Sequence, residues 1–343
     1  MSKRKLTRQQ RWRIEKVQAE RAQRAAKRDA QDADKLEAGE YGPERHGRVI
    51  AHFGRSLDVR PSEGGPLHRC HLRANLEPLV TGDRVIWRAA NDGSGVVVAR
   101  GERDSVLERP DARGQLKPVA ANIDQILIVF AVEPAPHANL IDRYLVAAEA
   151  TGIAPVLVLN KTDLLPEGGG ELMTLLGQYQ ALGYPVVTTT TAEEHGLDAL
   201  RARLAGRTSV FVGQSGVGKS SLIDCLLPDE TLRIGALSED SRKGTHTTTT
   251  ARLYGFDNDD SEAGELIDSP GIREFGLTHL DAQQVTEGFV EFRDLLGHCR
   301  FRDCRHQQEP GCALLEAVER GEIRAARFAS YRRILDSLED EGR

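Results

Sequence analysis

Three short motifs lie along this chain in an unusual order. Asn160-Lys161-Thr162-Asp163 comes first, the glycine-rich stretch Gly213–Ser220 follows, and Asp268-Ser269-Pro270-Gly271 comes last. In the usual form of the nucleotide-binding fold with such motifs, the glycine-rich loop leads and the Asn-Lys-x-Asp motif trails. The order here indicates the same fold cut open at another place. The third motif therefore stands at the end of the domain, directly before the next one.

The glycine-rich loop is predicted to bind phosphate. A strand predicted at Ser209–Val212 feeds into it and a helix is predicted from Lys219 onward, which is the context that a phosphate loop requires. Its backbone N–H groups turn inward as an anion site, while the Lys219 ammonium reaches the terminal phosphates and the Ser220 hydroxyl ligates Mg²⁺. We expect nucleotide contacts from Gly213, Gln214, Ser215, Gly216, Val217, Gly218, Lys219, Ser220 and Ser221, with Lys219 also catalytic.

The motif Asn160–Asp163 is predicted to read guanine, because it directly follows a strand predicted at Pro155–Leu159. The Asp163 carboxylate accepts hydrogen bonds from the ring N1–H and the exocyclic amino group, a pattern that adenine lacks. Such a buried carboxylate can reject the wrong base by as much as ~10⁴. Asn160 is expected to bridge to neighbouring loops, and the stem of Lys161 to pack against the base.

A run of threonines follows the strand predicted at Val186–Thr189. Thr190 is expected to begin the loop that supports the base from behind. The register within Thr188–Thr191 stays open, because threonines that only favour a β-strand give the same pattern.

The motif at Asp268 is expected to sense the γ-phosphate. Asp268 follows a strand predicted at Glu265–Ile267 and is the expected Mg²⁺ carboxylate, acting either directly or through a water bound to the ion, while the Gly271 N–H faces the γ-phosphate. The next position often carries a glutamine that orients water. Here it is Ile272, which cannot do so.

The segment Gly244–Thr249 lies where a first switch belongs. Thr248 or Thr249 is expected to close over Mg²⁺ when the γ-phosphate is present. His246 is a candidate water orienter or base in place of the missing glutamine. The alternative is an exposed loop histidine. Unaided hydrolysis is predicted to be slow, on the order of 10⁻³ per second or less, with a partner supplying the missing stabilisation.

Three cysteines and a histidine are crowded near the C-terminus, with the spacing Cys-x₄-Cys-x-His-x₅-Cys. The predicted ligands are Cys299, Cys304, His306 and Cys312. Their number and type fit one closed structural Zn²⁺ site with no position left for water. His298 is a competing ligand, whereas Cys70 and Cys225 are interpreted as small core residues.

Charge is distributed unevenly along the chain. Residues 1–28 hold eleven Lys or Arg and two Glu, so they carry +9 and the remainder carries −15, which gives the net −6. Such an arm suits a polyanionic partner, although a solvated tail is an equally good interpretation. No apolar run has the length of a membrane span and none follows the basic start, so we predict a cytoplasmic protein without membrane contact.

The rest of the pattern predicts a multidomain α/β architecture. Short strands punctuated by glycine and proline follow residue 47 and predict an OB-type β-barrel, with an SH3-like barrel as the alternative; these strands are predicted at Arg48–Phe53, Leu57–Arg60, Asp83–Arg88 and Gly95–Arg100. Beyond Arg113, strands alternate with helices, which indicates a mostly parallel sheet covered on both faces; besides the segments named above, a strand is predicted at Ile126–Val132 and helices at Leu140–Ala150 and Leu172–Leu182. The predicted domains are a basic flexible arm at 1–40, the barrel at 41–110, the permuted nucleotide-binding domain at 111–280 and a helical zinc-binding domain at 281–343.

The combination resembles one family closely, the circularly permuted GTPases of small ribosomal subunit biogenesis (RsgA/YjeQ type). The resemblance runs from about Gly47 to Arg333 and rests on the motif order, on Gly244–Thr249, on Asp268–Gly271 and on the cysteine cluster. It implies an OB-fold, a central P-loop GTPase and a C-terminal zinc domain that act late in small-subunit assembly. It also implies that the subunit stimulates hydrolysis, that His246 takes part, and that the four clustered residues bind zinc.

These expectations combine into one leading function, with two rivals. The leading one is a GTPase that binds ribosomal RNA, hydrolyses GTP with Mg²⁺ and uses hydrolysis to time its release from the small subunit; it is predicted to be monomeric. The first rival is an RNA chaperone whose nucleotide is structural. The second is a metal-delivering GTPase, which requires an exchangeable, partly open metal site.

Overall fold

The computed structural model describes residues 41–54, 56–73, 76–111, 114–227, 251–258, 261–268, 277 and 279–341. These residues form two compact units, the first ending at Glu102 and the second beginning at Arg103. The predicted basic arm and four predicted site residues, His246, Thr248, Thr249 and Gly271, lie outside the described residues.

The first unit is a five-stranded barrel. Its strands are β1 (Tyr41–Phe53), β2 (Ser56–Pro61), β3 (His68–Leu72), β4 (Arg84–Ala90) and β5 (Ser94–Arg100). The hydrogen-bonded order is β1-β2-β3-β5-β4, and β4 pairs back onto β1; the β3–β5 pair is parallel and the others are antiparallel. This closed, partly parallel arrangement confirms the OB-type barrel.

Alternation along the barrel strands buries one face of each strand. The core contains the fully buried Trp87 packed with Val49, Leu57, Val59, Cys70 and Val97. Gly47 is required where β1 crosses this core, since a Cβ there would lie 2.6 Å from Val59 Cγ1 and 2.9 Å from Trp87 Nε1. Strand β3 was not predicted, because its sequence His-Arg-Cys-His-Leu shows little apolar character.

The second unit opens with a hairpin, β6 (Val106–Pro110) and β7 (Leu116–Ala121), and continues into a parallel sheet. The sheet strands are β8 (Gln125–Ala131), β9 (Ala154–Asn160), β10 (Val186–Thr188), β11 (Thr208–Val212), β12 (Arg252–Asn258) and β13 (Ser261–Asp268). Their order is β10-β9-β8-β11-β13-β12, with only β12 antiparallel to its neighbour. All seven residues of β8 are buried, as expected of a central strand covered on both faces.

Helices cover this sheet, and those after residue 281 form the C-terminal module, which is described over residues 281–341. They are α1 (Ala138–Thr151), α2 (Gly170–Ala181), α3 (Asp198–Leu204), α4 (Lys219–Leu226), α5 (Ala282–Glu287), α6 (Ala313–Glu319) and α7 (Ala325–Glu341), with 3₁₀ turns at Thr162–Leu164 and Val290–Leu295. Helices α3 and α4 bury Leu200, Leu204, Leu222 and Leu226 against the strands. Helix α1 contacts β8 and β9 and also packs against α7.

The C-terminal module shares a hydrophobic core with α1. Phe289, Phe292 and Tyr331 stack or meet edge-on at ring-centroid distances of 5.0–5.6 Å. Val146 of α1 and Cys312 belong to the same buried cluster. The module is therefore packed onto the nucleotide-binding fold through α1.

A buried ionic network fixes this packing. The Arg327 guanidinium of α7 donates to both oxygens of Glu291, at 2.7 and 2.9 Å, and to Asp142 of α1. The Tyr179 hydroxyl donates to the same Asp142 carboxylate at 2.6 Å. Burial, with Asp142 nearby, raises the pKa of Tyr179, so the hydroxyl remains a donor. One arginine thus joins α1, α2 and the C-terminal module.

One detail of the sequence interpretation is wrong. Cys225 is exposed rather than part of the core, because the core-facing positions of α4 are Leu222 and Leu226 and Cys225 points away from them. Cys70 is buried as expected. In the part of the chain that the structure describes, no helix has the length and apolar character needed to span a membrane.

Candidate functional site

The candidate nucleotide site lies at the carboxyl ends of the parallel strands. Asn160 ends β9, Gly213 follows β11, and Asp268 ends β13. Ligands of open α/β sheets bind at this edge. The fold thus places Asn160, Gly213 and Asp268, which lie far apart in the sequence, at one edge of the sheet.

The loop Gly213–Ser220 has the backbone that its glycines predict. Gly213 adopts φ +142°, and a Cβ there would lie 2.1 Å from the Val129 carbonyl oxygen of β8. Gly218 adopts φ +91° and passes so close to Asn160 that a Cβ would lie 2.4 Å from its Nδ2 atom. Only glycine fits at these two positions, so the loop needs both of them to pass between β8 and Asn160.

Lys219 is the first residue of α4 and is buried, with 8% of its surface exposed. Its ammonium donates to the carbonyl oxygens of Gly213, at 2.6 Å, and Gln214. The cation is therefore held over the concave side of the loop, beside the positive end of a helix, where an anion is stabilised. Ser220 and Ser221 follow it on the first turn of α4, and both are exposed.

Asn160 ties the base-reading motif to the phosphate loop. Its side chain is buried, donates from Nδ2 to the Val217 carbonyl oxygen at 3.0 Å, and accepts from the Thr189 hydroxyl at 3.1 Å. Lys161 adopts φ +60°, and its ammonium donates to the carbonyl oxygens of Gly216, at 2.9 Å, and Glu133, at 2.7 Å. The two loops are thus held in fixed register before any ligand binds.

Asp163 is oriented by the threonine run. The Thr190 hydroxyl donates to Asp163 Oδ1 at 2.5 Å and accepts from the Ala192 N–H at 3.1 Å. The Thr162 hydroxyl donates to the Thr189 carbonyl oxygen at 3.1 Å. The structure places Thr190 beside the Asp163 carboxylate and adds Thr189 and Glu133, which sequence reasoning missed. The threonine run could have indicated Thr189. The Glu133 contact is made by its backbone carbonyl oxygen, which no sequence pattern singles out.

The second candidate site is the cysteine and histidine cluster of the C-terminal module. Cys299, Cys304, His306 and Cys312 each bring one ligand atom within 4.8 Å of the others. His306 Nδ1 lies 3.6 Å from the sulfurs of Cys299 and Cys304 and 3.3 Å from that of Cys312, and the Cys299 and Cys312 sulfurs are 4.0 Å apart. A tetrahedral zinc site has ligand separations of about 3.8 Å between sulfurs and about 3.6 Å between sulfur and nitrogen. The four residues therefore fit a metal of this class, and His298 is not among them.

Protonation in the cluster follows from burial. Burial raises the pKa of the Cys304 thiol to about 12 and also raises that of Cys312, which backbone N–H groups of Leu315 and Leu314 partly oppose. Burial lowers the pKa of His306, so its imidazole is neutral near pH 7, the form that ligates metals. Because thiols ligate only as thiolates, metal binding here releases protons and weakens in acid.

Comparisons with known proteins identify relatives along the whole chain. The sequence profile of the RsgA GTPase family matches residues 100–278. A protein of Chromohalobacter salexigens named small ribosomal subunit biogenesis GTPase RsgA is 73% identical over 98% of this chain and 99% of its own length. The crystal structure of YjeQ from Thermotoga maritima covers 86% of this chain and 99% of its own, with 32% identity and a TM-score of 0.69. The circularly permuted GTPase YloQ gives 28% identity and a TM-score of 0.68 over 87% of this chain and 96% of its own. The permuted motif order, the barrel and the cysteine cluster have the same explanation: the chain belongs to the RsgA GTPase family.

Proposed function

We propose that this chain is a GTPase of late small-subunit maturation that binds ribosomal RNA and leaves the particle when GTP is hydrolysed. The observation that carries the proposal is the joined site, in which Asn160 connects the guanine-reading motif to the phosphate loop through the Val217 carbonyl oxygen. The names of its relatives, the 73% identical protein above all, support the ribosomal assignment.

The proposed nucleotide contacts follow the predicted ones. Asp163, oriented by Thr190, reads the guanine edge, and the Gly213–Ser221 segment holds the phosphates, with Lys219 moving from the loop carbonyls to the terminal phosphates. Mg²⁺ binds together with GTP. Its proposed ligands are Ser220 and Asp268, and either Thr248 or Thr249 closes over the ion. His246 orients the attacking water or takes its proton, and Gly271 senses the γ-phosphate.

The proposed metal is one Zn²⁺ held by Cys299, Cys304, His306 and Cys312. When bound, it crosslinks a loop that has few apolar residues of its own. The metal acts in folding rather than in the reaction, because the four protein ligands complete a tetrahedron. This also argues against a metal-delivering GTPase.

The segment that follows Asp268 is the proposed link between GTP hydrolysis and release from the particle. Leu277 and Leu280 are buried in the core of the C-terminal module, together with Phe289 and Cys312. Leu277 follows Asp268 by nine positions. Loss of the γ-phosphate can therefore act on the module through a short stretch of chain.

We propose a basic arm at 1–40, an RNA-binding barrel at 41–110, the GTPase domain at 111–280 and the zinc module at 281–343. The described residues divide into two compact units after Glu102, eight residues before the proposed end of the barrel at residue 110. The barrel and the zinc module contact ribosomal RNA. We propose a monomer that works in the cytoplasm.

The test is GTP turnover by the purified full-length chain with isolated small subunits, with large subunits and with no particle, at one stated salt concentration, because contacts with RNA weaken with salt. The proposal expects a large stimulation by small subunits alone. Lys219→Ala is the matched inactive control. Equal turnover in all three conditions would instead indicate an RNA chaperone with a structural nucleotide.

A further inference from the structure

The loop between Cys304 and Cys312 has an uncommon backbone at its metal-binding histidine. His306 adopts φ +57°, in the left-handed region that residues other than glycine seldom occupy. In this conformation its Nδ1 atom faces the three sulfurs at 3.3–3.6 Å. Some contact elsewhere must stabilise the chain around His306, since the conformation is not favoured locally.

The side chain of Glu309 makes this contact. Its Oε1 atom accepts from the Arg305 N–H at 3.0 Å, and its Oε2 atom accepts from the N–H groups of Gln307, at 2.7 Å, and Gln308, at 3.0 Å. Arg305 and Gln307 are the two neighbours of His306. One carboxylate therefore fixes the chain immediately before and immediately after the histidine.

The His306 N–H also has the Cys304 sulfur as an acceptor, and two further contacts reach this loop. The Arg332 guanidinium reaches the His306 carbonyl oxygen only at 3.4 Å, and the Arg300 N–H donates to the Gly311 carbonyl oxygen at 2.9 Å, next to Cys312. The Arg332 contact lies on the same peptide group as the Gln307 N–H, but neither contact reaches the Arg305 or Gln308 N–H. A charged carboxylate with three N–H donors is the stronger restraint, because hydrogen bonds to an ionised acceptor are stronger than neutral ones.

We propose that Glu309 is the positioning residue of the metal site: it does not touch the metal but holds His306 in the conformation that completes the tetrahedron. This inference rests on the metal binding proposed above. Residues that orient metal ligands in this way commonly account for a 10–100-fold change in metal affinity. We expect a loss of that size when the carboxylate is removed.

The experiment uses the full-length protein and measures Zn²⁺ affinity by competition with a chelator and the Co²⁺ absorption spectrum. Glu309→Ala is expected to bind Zn²⁺ about 10–100-fold more weakly, and Glu309→Gln, which keeps one accepting oxygen, to lie between it and the parent. Glu319→Gln, an exposed glutamate on α6 of the same module, is the matched control and should bind as the parent does. GTP binding reports whether the nucleotide-binding part of each variant is folded, and circular dichroism reports the helices of the C-terminal module.

A double-mutant cycle with His306→Ala separates positioning from a general effect on the loop. If Glu309 acts through His306, Glu309→Ala has no further effect in the His306→Ala background, and the Co²⁺ spectra of the two single variants shift in the same direction. An equal loss in both backgrounds overturns the proposal, as does unchanged Zn²⁺ affinity of Glu309→Ala. A parent protein that binds neither metal would overturn the metal assignment itself, which is a different result.

Discussion

The Thr190 hydroxyl lies 2.5 Å from Asp163 Oδ1 and donates a hydrogen bond to it. The acceptor belongs to the carboxylate proposed to read guanine, and the donor is held by the Ala192 N–H. The carboxylate is thus aimed before the nucleotide arrives. Affinity for the base should depend on a side chain that never contacts it.

Replacing Thr190 by Val should weaken GTP and GDP binding by roughly 10–100-fold, the equivalent of the ~1.5–3 kcal/mol of a hydrogen bond to a charged group. The preference for GTP over ATP should fall with it. Thr190→Ser keeps the hydroxyl and should bind as the parent does. Calorimetric titration with GDP measures both variants, and a Val variant with parental affinity would show that Thr190 does not orient Asp163.

Replacing His246 by Ala should spare GTP binding and remove the hydrolysis that small subunits stimulate, because the position after Gly271 is Ile272 and cannot orient water. Turnover with saturating subunits tests the rate, and nucleotide titration tests binding. A His246→Ala variant that hydrolyses GTP normally on small subunits would contradict the catalytic assignment.

Replacing Arg327 by Met should destabilise the second unit by about 3–5 kcal/mol, because it leaves the buried carboxylates of Asp142 and Glu291 unpaired. The triple variant Arg327→Met, Asp142→Asn, Glu291→Gln removes those charges as well and should recover much of the loss. Urea unfolding followed by circular dichroism measures both. A single variant as stable as the parent would show that the network does not hold the module on α1.

Removing the metal should unfold the segment between Cys299 and Cys312 while leaving nucleotide binding intact, since the two sites use different residues. Acid should have the same effect, because protons compete for the thiolates and for His306. Chelation at pH 7.5 and titration to pH 5, followed by zinc release and by GDP binding, test this. Loss of GDP binding in parallel with zinc would contradict this and show that the nucleotide site needs the metal in order to fold.

The barrel should lose stability on acidification because of His52. Burial lowers the pKa of His52, against a smaller opposing effect of Asp83, so the unfolded chain binds this proton more readily. The contribution of His52 is then complete above its ordinary pKa of about 6.5 and is lost as the pH falls. His52→Gln should make barrel stability less dependent on pH between 5 and 7.5, as followed by Trp87 fluorescence in a Trp12→Phe background. A His52→Gln barrel with the parental pH dependence would exclude this cause.

Much of this architecture could be predicted where residue pattern and chemistry agree. The buried strands β8, β9 and β11 read as apolar runs, and polar motifs directly follow β9 and β11, so both the sheet and its ligand-binding edge could be predicted. Strand β3 was missed because part of its pairing is with β5, which is distant in sequence, rather than set by a local pattern. The hairpin β6–β7 was missed because neither of its strands shows a regular apolar alternation. Glu309 was missed for a similar reason: its role depends on three backbone N–H groups that only the folded loop brings together.

The burial of Leu277 and Leu280 has a consequence that works in both directions. If the state of the nucleotide changes how the C-terminal module binds its target, linkage requires that a clamped module change the affinity for nucleotide by the same factor. A ribosomal particle that holds the C-terminal module in one state would therefore change the relative affinity for GTP and GDP without contacting either nucleotide. The affinity of the nucleotide site would then depend on whether the module is fully bound to the particle.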